Sequence, residues 1–368
     1  MKKILVIITT AFYTYGGLAS VMLNYYRTMD KSGLQIDFAS SNELEEDLVL
    51  ELRNNHSNYY KIGSRQKETL RYMVNLMKLL RNGRYDVVHV NGNSATMAMD
   101  LCMARLFGIP FRIAHVHSTA TMHPVFNTLL RPVLQVSSNK QIAVSKDSGD
   151  WLFRKGSYIV LNNAIPIRKY VYNAEVRKEY REKFGLQDMF VVGNVGKLNK
   201  QKNHRFLLEI FWELKKHERD AVLLIVGGGE LEETLKIQAD ELGIGESVIF
   251  TGMRKDVENM LQAMDCFVFT SIHEGLGMAL IEAQAAGLYC IASDEVPEET
   301  KMSDNIEYMC LSDLPQKWAQ RVLQIKAQTA ERRTLSEEAV KRIKERGYDI
   351  STEADKLREM YLMRSKLI

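Results

Sequence analysis

Short apolar runs alternate with amphipathic segments along nearly the whole of this 368-residue chain. Runs such as Ile4–Ile8, Phe190–Val195 and Val222–Val226 are continuously apolar, which is typical of parallel strands covered on both faces of a sheet. Segments such as Gly17–Met29 and Phe206–Lys216 repeat apolar residues at helical spacing instead. Strands that each lead into a helix predict an α/β fold with helices on both faces of its sheets.

This strand pattern occurs twice. About six apolar runs precede Asn162 and about five follow Asp188, with the polar and charged stretch Arg168–Gln187 between them. We therefore expect two Rossmann-like domains, residues 1–166 and 167–347, joined by a linker. Ligands of such sheets bind at the carboxyl ends of the strands, so two facing sheets would hold a ligand in the cleft between them.

Composition favours a soluble protein of a reducing compartment. The net charge is +3, but the first 165 residues carry 19 Lys and Arg against 12 Asp and Glu, which favours an anionic partner or a membrane surface for this half. The four cysteines lack metal-ligand spacing and indicate free thiols. The apolar run after Met1–Lys3 is too short for a signal peptide, and no window is long enough to span a membrane. We expect a cytoplasmic location.

The run Glu274–Glu282 places two carboxylates eight residues apart around a glycine-rich turn that opens an apolar helix. A helix N-terminus presents unpaired N–H groups that bind phosphate. The candidate contacts of a diphosphate are Gly275, Leu276, Gly277 and Met278. Glu274 and Glu282 would stand about 10 Å apart, so one could bind the sugar of a nucleotide-sugar and the other its ribose. The alternative is two solvated glutamates near a helix start.

Other loops of the second half carry groups that suit a nucleoside diphosphate. Lys197 and Lys202 lie five residues apart between a strand and a helix, where they could neutralise a departing diphosphate without a metal. An exposed basic loop is the alternative interpretation. Gly228 ends the next strand and would let the backbone approach a nucleotide, while Met253 and Arg254 could meet a base edge.

In the first half, the first strand runs into the pair Gly16–Gly17, which allows a bulky ligand to approach the backbone. The pair lacks the G-x-G-x-x-G spacing that a dehydrogenase would need, and a tight turn is the alternative. His117 follows the strand Phe111–Val116 and could donate to a sugar hydroxyl or polarise a leaving group, although a lone histidine is more often structural. His89 and His115 lie within strands and are interpreted as structural.

The chain contains no Asp-x-Asp pair, the motif with which metal-dependent sugar transferases hold Mg²⁺ or Mn²⁺ on a diphosphate. Lysines and helix N–H groups would have to take over the role of the metal. We therefore expect neither a metal nor another cofactor, because the nucleotide-sugar itself is a substrate.

Taken together, these motifs resemble those of the retaining family-4 glycosyltransferases, which have the two-Rossmann GT-B architecture. The matching segments follow the family's order along nearly the whole chain: Gly16–Gly17, His117 in His-Ser-Thr, Gly196–Asn203, Glu274–Glu282, Ala283–Gly287 and Pro297–Glu298. The resemblance implies that residues 1–166 bind the acceptor and residues 167–347 bind the nucleotide-sugar. It also implies that a C-terminal helix in residues 348–368 crosses back to the first domain.

The same resemblance implies a role for each matching residue. Gly17 would bring its N–H to the donor phosphate and sugar, and His117 would contact the transferred sugar near its reacting carbon. Lys202 would neutralise the diphosphate. Glu274 would bind sugar hydroxyls, and Glu282 would bind the ribose. Enzymes of this type keep the anomeric configuration and need no metal, with the leaving phosphate acting as base.

The chain departs from the family pattern at three positions. Lys197, which would help Lys202 at the diphosphate, replaces the usual arginine and cannot make a bidentate fork. Asn203 replaces a glycine, and Tyr289 stands where proline is common. These departures bear on the identity of the donor. UDP-sugars are the commonest donors in the family, and we expect one here.

The first domain would also present the acceptor side and a membrane contact. The acceptor-side residues would be Tyr13, Tyr15 and the segment from Thr119 to His123. Arg65–Arg84 could dock on anionic lipid through the helical face of Leu70, Met73, Val74, Met77 and Leu80, unless that face is part of the core. Trp151–Lys155 is a second candidate patch.

We expect a bacterial, cytoplasmic glycosyltransferase that moves a hexose or N-acetylhexosamine from a UDP-sugar to a lipid-linked saccharide. Its product would belong to a capsular polysaccharide or exopolysaccharide, made at the inner face of the membrane. The sequence leaves two other functions open, a UDP-N-acetylhexosamine epimerase and a non-catalytic subunit that binds a nucleotide-sugar. Nucleic-acid binding is not expected, because the basic residues are not interleaved with aromatic residues on one element.

Overall fold

The computed structural model describes residues 1–13, 17–119, 121, 124–327 and 331–363. The chain divides into an N-terminal unit, which contains Met1–Ile165 and the segment from Gly347 onward, and a C-terminal unit, Pro166–Arg346. Each unit is built on a parallel β-sheet, which confirms the predicted α/β fold with two Rossmann-like sheets. Among the described residues, no helix combines the length and the hydropathy that a membrane span requires.

The N-terminal unit has a seven-stranded parallel sheet. Its strands are β1 (Lys2–Ile8), β2 (Leu34–Ser40), β3 (Tyr59–Lys61), β4 (Val87–Gly92), β5 (Phe111–Val116), β6 (Lys140–Ala143) and β7 (Ile159–Val160). Their order is β3-β2-β1-β4-β5-β6-β7. The strand order reverses between β1 and β4, and such a switch point opens a crevice at the carboxyl ends of the two strands.

Helices cover both faces of this sheet. They are α1 (Gly17–Thr28), α2 (Glu46–Asn54), α3 (Thr69–Gly83), α4 (Ala98–Leu106), α5 (Pro124–Ser137) and α6 (Lys146–Leu152), with a 3₁₀ turn at Ala95–Met97. Alternate residues of β1 face opposite sides because side chains alternate along a strand. Ile4 and Val6 pack with α1 and α2, whereas Leu5 and Ile7 pack on the side of α3, α4, α5 and α6.

The C-terminal unit has a six-stranded parallel sheet in the order β10-β9-β8-β11-β12-β13. Its strands are β8 (Phe190–Val195), β9 (Ala221–Val226), β10 (Val248–Phe250), β11 (Cys266–Phe269), β12 (Tyr289–Ser293) and β13 (Ile306–Met309). The order reverses between β8 and β11. This pair of strands therefore marks the switch point of the second sheet.

The helices of the C-terminal unit again cover both faces. They are α7 (Ile167–Tyr170), α8 (Ala174–Phe184), α9 (His204–Lys215), α10 (Glu232–Glu241), α11 (Val257–Ala263), α12 (Met278–Ala285), α13 (Pro315–Lys326) and α14 (Arg332–Glu345). Short 3₁₀ turns occur at Lys200–Lys202, Gly245–Ser247 and Glu298–Thr300.

The stretch Arg168–Gln187, predicted as a polar connection between the two strand sets, is largely helical. It contains α8, which is held to the unit because Arg177 and Arg181 both pair with Asp265, the residue that precedes β11. Two of the charged residues that made the stretch resemble a linker are therefore bound to the unit through Asp265.

The last helix, α15 (Ile350–Leu362), follows the C-terminal unit along the chain but belongs to the N-terminal unit. Leu357, Met360 and Tyr361 are buried in the same apolar cluster as α1 and β1. The Ile350 N–H donates to the Ile165 carbonyl at 3.0 Å, which fixes the start of the helix. The C-terminal helix thus returns to the first sheet.

Candidate functional site

The C-terminal unit gathers charged side chains at the carboxyl ends of β8 and β11. The loop after β8 contains Lys197 and Lys202, and the loop after β11 contains Glu274. Ligands of open parallel sheets bind in the crevice at such a switch point. The topology therefore brings together residues that lie 72 positions apart in the sequence.

Lys202 ends a tight turn between β8 and α9. The Asn199 side chain accepts a hydrogen bond from the Lys202 N–H at 3.1 Å and so caps the 3₁₀ turn. Asn203 follows with a φ of 54°, in the left-handed region that glycine favours and that asparagine tolerates better than most other residues. The replacement of the family's glycine by Asn203 therefore leaves this backbone conformation accessible.

Lys202 and Glu274 form an ion pair at the switch point. Lys202 Nζ lies 2.5 Å from Glu274 Oε1, and the two side chains are only 17% and 8% exposed. The same ammonium group lies 4.7 Å from the centroid of the Phe269 ring, which adds a cation–π contact. The Thr270 hydroxyl donates to the Lys202 carbonyl at 3.2 Å, and the Ile272 N–H donates to the Gln201 carbonyl at 2.8 Å, so the two loops are also joined through the backbone.

The N-terminus of α12 follows directly after this loop. Gly277 precedes the first helical residue, Met278, with a φ of 68°, and it has no side chain with which to cap the helix. The first N–H groups of α12 therefore keep their capacity to bind an anion. Leu276 is half-buried, whereas Gly275 is exposed and a Cβ atom added to it would meet no heavy atom within 4 Å. The glycine-rich turn is thus open on this side.

Glu282 lies in the second turn of α12, and its carboxyl group is hydrogen-bonded to the Tyr170 hydroxyl. Burial raises the pKa of Glu282 to about 7; the bond from Tyr170 opposes this shift, and the charge of Glu258 adds to it. The carboxyl group is therefore present in both protonation states near neutral pH. The sequence predicted a ribose-binding carboxylate here but gave no signal for Tyr170, which lies far away along the chain.

Two glycines let the loop after β9 pack directly against the loop after β8. The Leu198 N–H donates to the Gly228 carbonyl at 3.0 Å. A Cβ atom at Gly229 would lie 2.4 Å from the Leu198 carbonyl oxygen, and one at Gly228 would lie 3.1 Å from Met253 Cγ. Side chains at these positions would push the loops apart, so the glycines keep the backbone of this edge compact.

Two of the predicted cations pair with acids outside the Lys202–Glu274 pair. Lys197 Nζ lies 3.7 Å from Glu230, and both side chains are largely exposed. Arg254 donates to both carboxylate oxygens of Asp256, at 2.8 and 2.6 Å. Met253, next to Arg254, is 62% exposed.

In the N-terminal unit, the predicted residues follow β1 and β5. Gly17 is the first residue of α1, with a φ of 69° and free space where a Cβ atom would stand. His117 follows β5, and its main-chain N–H donates to the Gly92 carbonyl at 3.0 Å. Its imidazole Nε2 lies 3.0 Å from Oδ1 of Asn91, a buried residue of β4 that the sequence did not single out. An asparagine near the carboxyl end of an apolar strand is the signal that could have found it.

His117 continues a row of buried histidines. The ring centroids of His115 and His117 are 4.1 Å apart, and His115 Nδ1 lies 3.2 Å from His89 Nε2. At the far end, the Tyr361 hydroxyl of α15 lies 2.7 Å from His89 Nδ1. Burial lowers the pKa of His89 and of His117 to about 3, so these rings are neutral at physiological pH. His89 and His115 thus connect His117 to the C-terminal helix.

On the predicted acceptor side, Tyr13 is 62% exposed and Thr119 is also exposed. Tyr15, Gly16 and His123 lie outside the described residues.

The structure exposes most of the apolar face of α3 that was predicted as a possible lipid contact. The residues that α3 buries are Tyr72, Leu76 and Leu80, whereas Leu70 is 84% exposed and Val74 and Met77 are also exposed. The buried positions are spaced by four residues from Tyr72 onward, so Tyr72, Leu76 and Leu80 form the face that α3 turns to the core. The alternative, that the predicted lipid-contact face is part of the core, holds only for Leu80 among its fully buried residues.

Two family models match the chain, one for each half. The model described as Glycosyltransferase Family 4 matches residues 15–166, and the model described as Glycosyl transferases group 1 matches residues 176–342. The second match contains Lys197, Lys202, Glu274 and Glu282.

Known proteins resemble the chain over most of its length. EpsF of Bacillus subtilis (strain 168), a protein named as a glycosyltransferase without a stated substrate, is 27% identical over 364 residues, which cover 94% of this chain and 93% of EpsF. The UDP-Gal:alpha-D-GlcNAc-diphosphoundecaprenol alpha-1,3-galactosyltransferase of Escherichia coli is 29% identical over 245 residues, or 61% of this chain and 62% of that enzyme.

The crystal structure of Anabaena HepE in complex with UDP-glucose has the same fold. It superposes with a TM-score of 0.76 at 18% sequence identity and covers 98% of this chain and 99% of HepE. At this level of sequence identity, the similarity shows a shared fold alone.

Proposed function

Because this chain belongs to the glycosyltransferases that combine a family 4 domain with a group 1 domain, we propose that it moves a hexose or N-acetylhexosamine from a UDP-sugar to a saccharide acceptor. The transfer retains the anomeric configuration and requires no metal. The acceptor is lipid-linked, and the product belongs to a bacterial surface polysaccharide. The reaction takes place in the cytoplasm at the inner face of the membrane, a reducing compartment that suits the buried free thiols Cys266 and Cys290.

The observation that carries this proposal is the Lys202–Glu274 pair beside the open N-terminus of α12. A cation and unpaired N–H groups favour the diphosphate of a nucleotide-sugar, and a carboxylate next to them can accept hydrogen bonds from sugar hydroxyls. When the donor binds, Lys202 would share its charge between Glu274 and the diphosphate. Glu282 would bind the ribose, and the glycine loop at Gly228 would lie beside the nucleotide.

The chemistry follows from these charges. The bond between the anomeric carbon and the β-phosphate oxygen breaks, and Lys202 with the helix N–H groups stabilises the negative charge that develops on the diphosphate. The acceptor oxygen bonds to the same face of the anomeric carbon, and its proton passes to the departing phosphate. His117 and Gly17 contribute hydrogen bonds to the sugar and the phosphate. Oriented protein cations and dipoles thus take the role that a divalent ion has in other transferases.

The choice of donor and acceptor rests on similar proteins. The name of the Escherichia coli relative gives UDP-Gal as donor, a diphosphoundecaprenol-linked sugar as acceptor and an alpha-1,3 product. HepE, which shares the fold, was crystallised with UDP-glucose.

A screen of UDP-hexoses and UDP-N-acetylhexosamines, measuring UDP release with and without a diphosphoundecaprenol-linked saccharide, tests the proposal. We expect UDP release only with acceptor, an α-linked product by NMR, and the same rate in EDTA. Glu274→Ala should abolish release. Interconversion of the UDP-sugar without acceptor would instead indicate an epimerase. Donor binding without release, with polysaccharide synthesis intact in cells carrying Glu274→Ala, would indicate a non-catalytic subunit.

A further inference from the structure

The outward face of α5 is apolar. Val125, Phe126, Leu129 and Val136 are 69%, 62%, 67% and 64% exposed, and Val133 is exposed beside them. These five residues, called the apolar stripe below, recur at helical spacing and share one side of the helix. The other exposed residues of α5 are Pro124, Thr128, Pro132 and Gln135, so this face carries no charge. Surface helices normally turn a charged or polar face to water, and α5 does the opposite.

The stripe cannot turn inward, because the opposite side of α5 is fixed in the unit. Leu134 is buried in the core on the α3 and α4 side of the sheet. The Asn127 side chain accepts a hydrogen bond from the Ala95 N–H at 2.7 Å, and Ser137 on the same side is buried. The helix is therefore held with its apolar side outward.

Two arginines lie at one end of the stripe. Arg105 and Arg112 donate to the carbonyls of Val136 and Ser137, both at 2.7 Å, so both arginines lie at the C-terminal end of α5. Bonds to neutral carbonyls leave their positive charge uncancelled. Residues 101–146 contain no Asp or Glu at all, which leaves the sequence around α5 purely cationic.

The predicted patch Trp151–Lys155 lies next to α5. Arg131 of α5 donates a hydrogen bond to the Trp151 carbonyl and lies over the Trp151 ring, 5.9 Å from its centroid. Arg154 and Lys155 follow and are exposed. The helix α3, with its exposed Leu70, packs on the same side of the sheet as α5. The apolar stripe, the patch with Arg154 and Lys155, and the exposed Leu70 therefore lie on the same side of the sheet.

We propose that the apolar stripe of α5 docks the N-terminal unit on an anionic lipid bilayer. Val125, Phe126 and Leu129 enter the boundary between headgroups and acyl chains, and the exposed Arg105, Arg154 and Lys155 contact lipid phosphates. This inference goes beyond the proposed reaction, since it depends on the surface of α5 and on none of the donor-binding loops. If the acceptor is lipid-linked, docking also brings the enzyme to its substrate.

A second copy of the chain fits the stripe less well. A 14-residue helix is about 20 Å long and about 10 Å wide, so its face offers roughly a quarter of the 800 Å² per partner that a stable interface usually buries. A symmetric contact through this face would also bring the basic residues of both copies together. A bilayer that contains anionic lipid would bury the apolar residues and would also place lipid phosphates next to the cations.

Co-sedimentation of the full chain with lipid vesicles tests this surface without donor or acceptor. We expect binding to vesicles of phosphatidylcholine with phosphatidylglycerol at low salt, weak binding to pure phosphatidylcholine, and release at high salt. The variant Phe126→Glu/Leu129→Glu should bind roughly tenfold or more weakly. Arg154→Gln/Lys155→Gln should lose part of the dependence on phosphatidylglycerol.

The matched control is Leu50→Glu. Leu50 lies on α2, on the other side of the same sheet, and is 55% exposed. This variant should bind as the wild type does, and equal melting temperatures would show that all variants are folded. If the double glutamate variant unfolds, Leu129→Gln replaces it, with an expected several-fold loss of binding.

Three results would overturn the proposal. They are wild-type protein that stays in solution with anionic vesicles at low salt, a stripe variant that binds as well as the wild type, and a wild-type dimer that the stripe variant converts to a monomer. The last result would assign the stripe to a second copy of the chain. UDP release from a soluble acceptor analogue is measured separately, so a missing activity would count against the proposed reaction and leave the vesicle result unaffected.

Discussion

The imidazole of His117 lies with its Nε2 atom 3.0 Å from the side-chain oxygen of Asn91. The Asn91 amide nitrogen lies 3.4 Å from the His89 carbonyl and donates to it, which turns the Asn91 oxygen toward His117. An amide oxygen can only accept, so Nε2 of His117 carries the proton. The lowered pKa of about 3 keeps the ring neutral. His117 is thus a neutral ring of fixed tautomer, with its buried Nδ1 unpartnered by any described residue.

Replacement of Asn91 tests this arrangement. Asn91→Ala should lower kcat roughly 10- to 100-fold, because the ring loses the partner that fixes its tautomer, while the affinity for UDP stays the same. Asn91→Asp should raise the pKa of His117 by about one to three units and introduce a new ionisation into the pH profile of kcat/KM. The exposed neighbour Asn93 supplies the control, Asn93→Ala, which should behave as the wild type does. An Asn91→Asp profile identical to the wild-type profile would contradict the assigned contact.

A double-mutant cycle tests the pair of Lys202 and Glu274. Lys202→Met leaves a carboxylate that is 8% exposed without its partner, so the free energy of unfolding should fall by about 1 to 3 kcal/mol. Lys202→Met/Glu274→Gln should recover most of this loss in urea unfolding. Both variants should release UDP about 10² to 10³ times more slowly than the wild type. Lys197→Met, at an exposed pair, should cost less than about 0.5 kcal/mol of stability. A double variant no more stable than Lys202→Met would show that the pair is not coupled.

The raised pKa of Glu282 predicts how the free energy of unfolding depends on pH. Its pKa of about 7 in the folded protein lies above the ordinary value of 4.5, so the folded state binds this proton more tightly. The stabilisation is complete below pH 4.5 and is lost as the pH rises through 7. The free energy of unfolding should fall by about 1 to 3 kcal/mol over this range because of Glu282. Glu282→Gln should remove this decline, and the exposed control Glu337→Gln should keep it. If the free energy of unfolding declined with pH in parallel for the wild type and Glu282→Gln, the raised pKa of Glu282 would be contradicted.

The left-handed backbone conformation of Asn203 predicts the relative stabilities of three variants at this position. Its φ of 54° suits glycine and asparagine. Asn203→Gly should therefore keep the wild-type stability within about 0.5 kcal/mol, and Asn203→Ala should lose about 1 kcal/mol. Asn203→Val should lose more, since a β-branched residue resists this conformation most. Urea unfolding measures all three, and equal stabilities of the glycine and valine variants would show that the turn does not hold this conformation.

Much of the fold could be predicted because buried parallel strands leave a simple signal. The predicted strands Phe111–Val116 and Phe190–Val195 have the same bounds as β5 and β8 in the structure. The strands without a continuous apolar run, β3 and β13, were missed. In these two edge strands, the half-buried Tyr59 and the exposed Glu307 interrupt the apolar pattern.

The helix α5 was missed for a different reason. Pro132 stands inside it and ordinarily marks the end of a helix. Its outward residues are apolar, so the usual contrast between a polar and an apolar face is absent. A helix that turns apolar residues to its surroundings cannot be recognised by amphipathic spacing alone.

The site could be predicted where the chemistry is local and not where it depends on distant partners. The turn around Gly277 and the lysine loop were visible as short motifs. The contact of Tyr170 with Glu282 was not, and neither was the contact of Tyr361 with His89, which spans 272 positions. Such pairs form only when the fold brings distant segments together. They could not be predicted, because no local sequence pattern shows which segments become neighbours.

The return of α15 to the first sheet sets an order for biosynthesis. A ribosome releases the segment from Gly347 only after it has made the whole of Pro166–Arg346, so the C-terminal unit can fold while the N-terminal unit still lacks Leu357, Met360 and Tyr361. Until then, the nascent first sheet exposes the apolar surface that α15 will cover. A translation product that stops before α15 would keep this surface exposed and would be a ready target for chaperones and proteases.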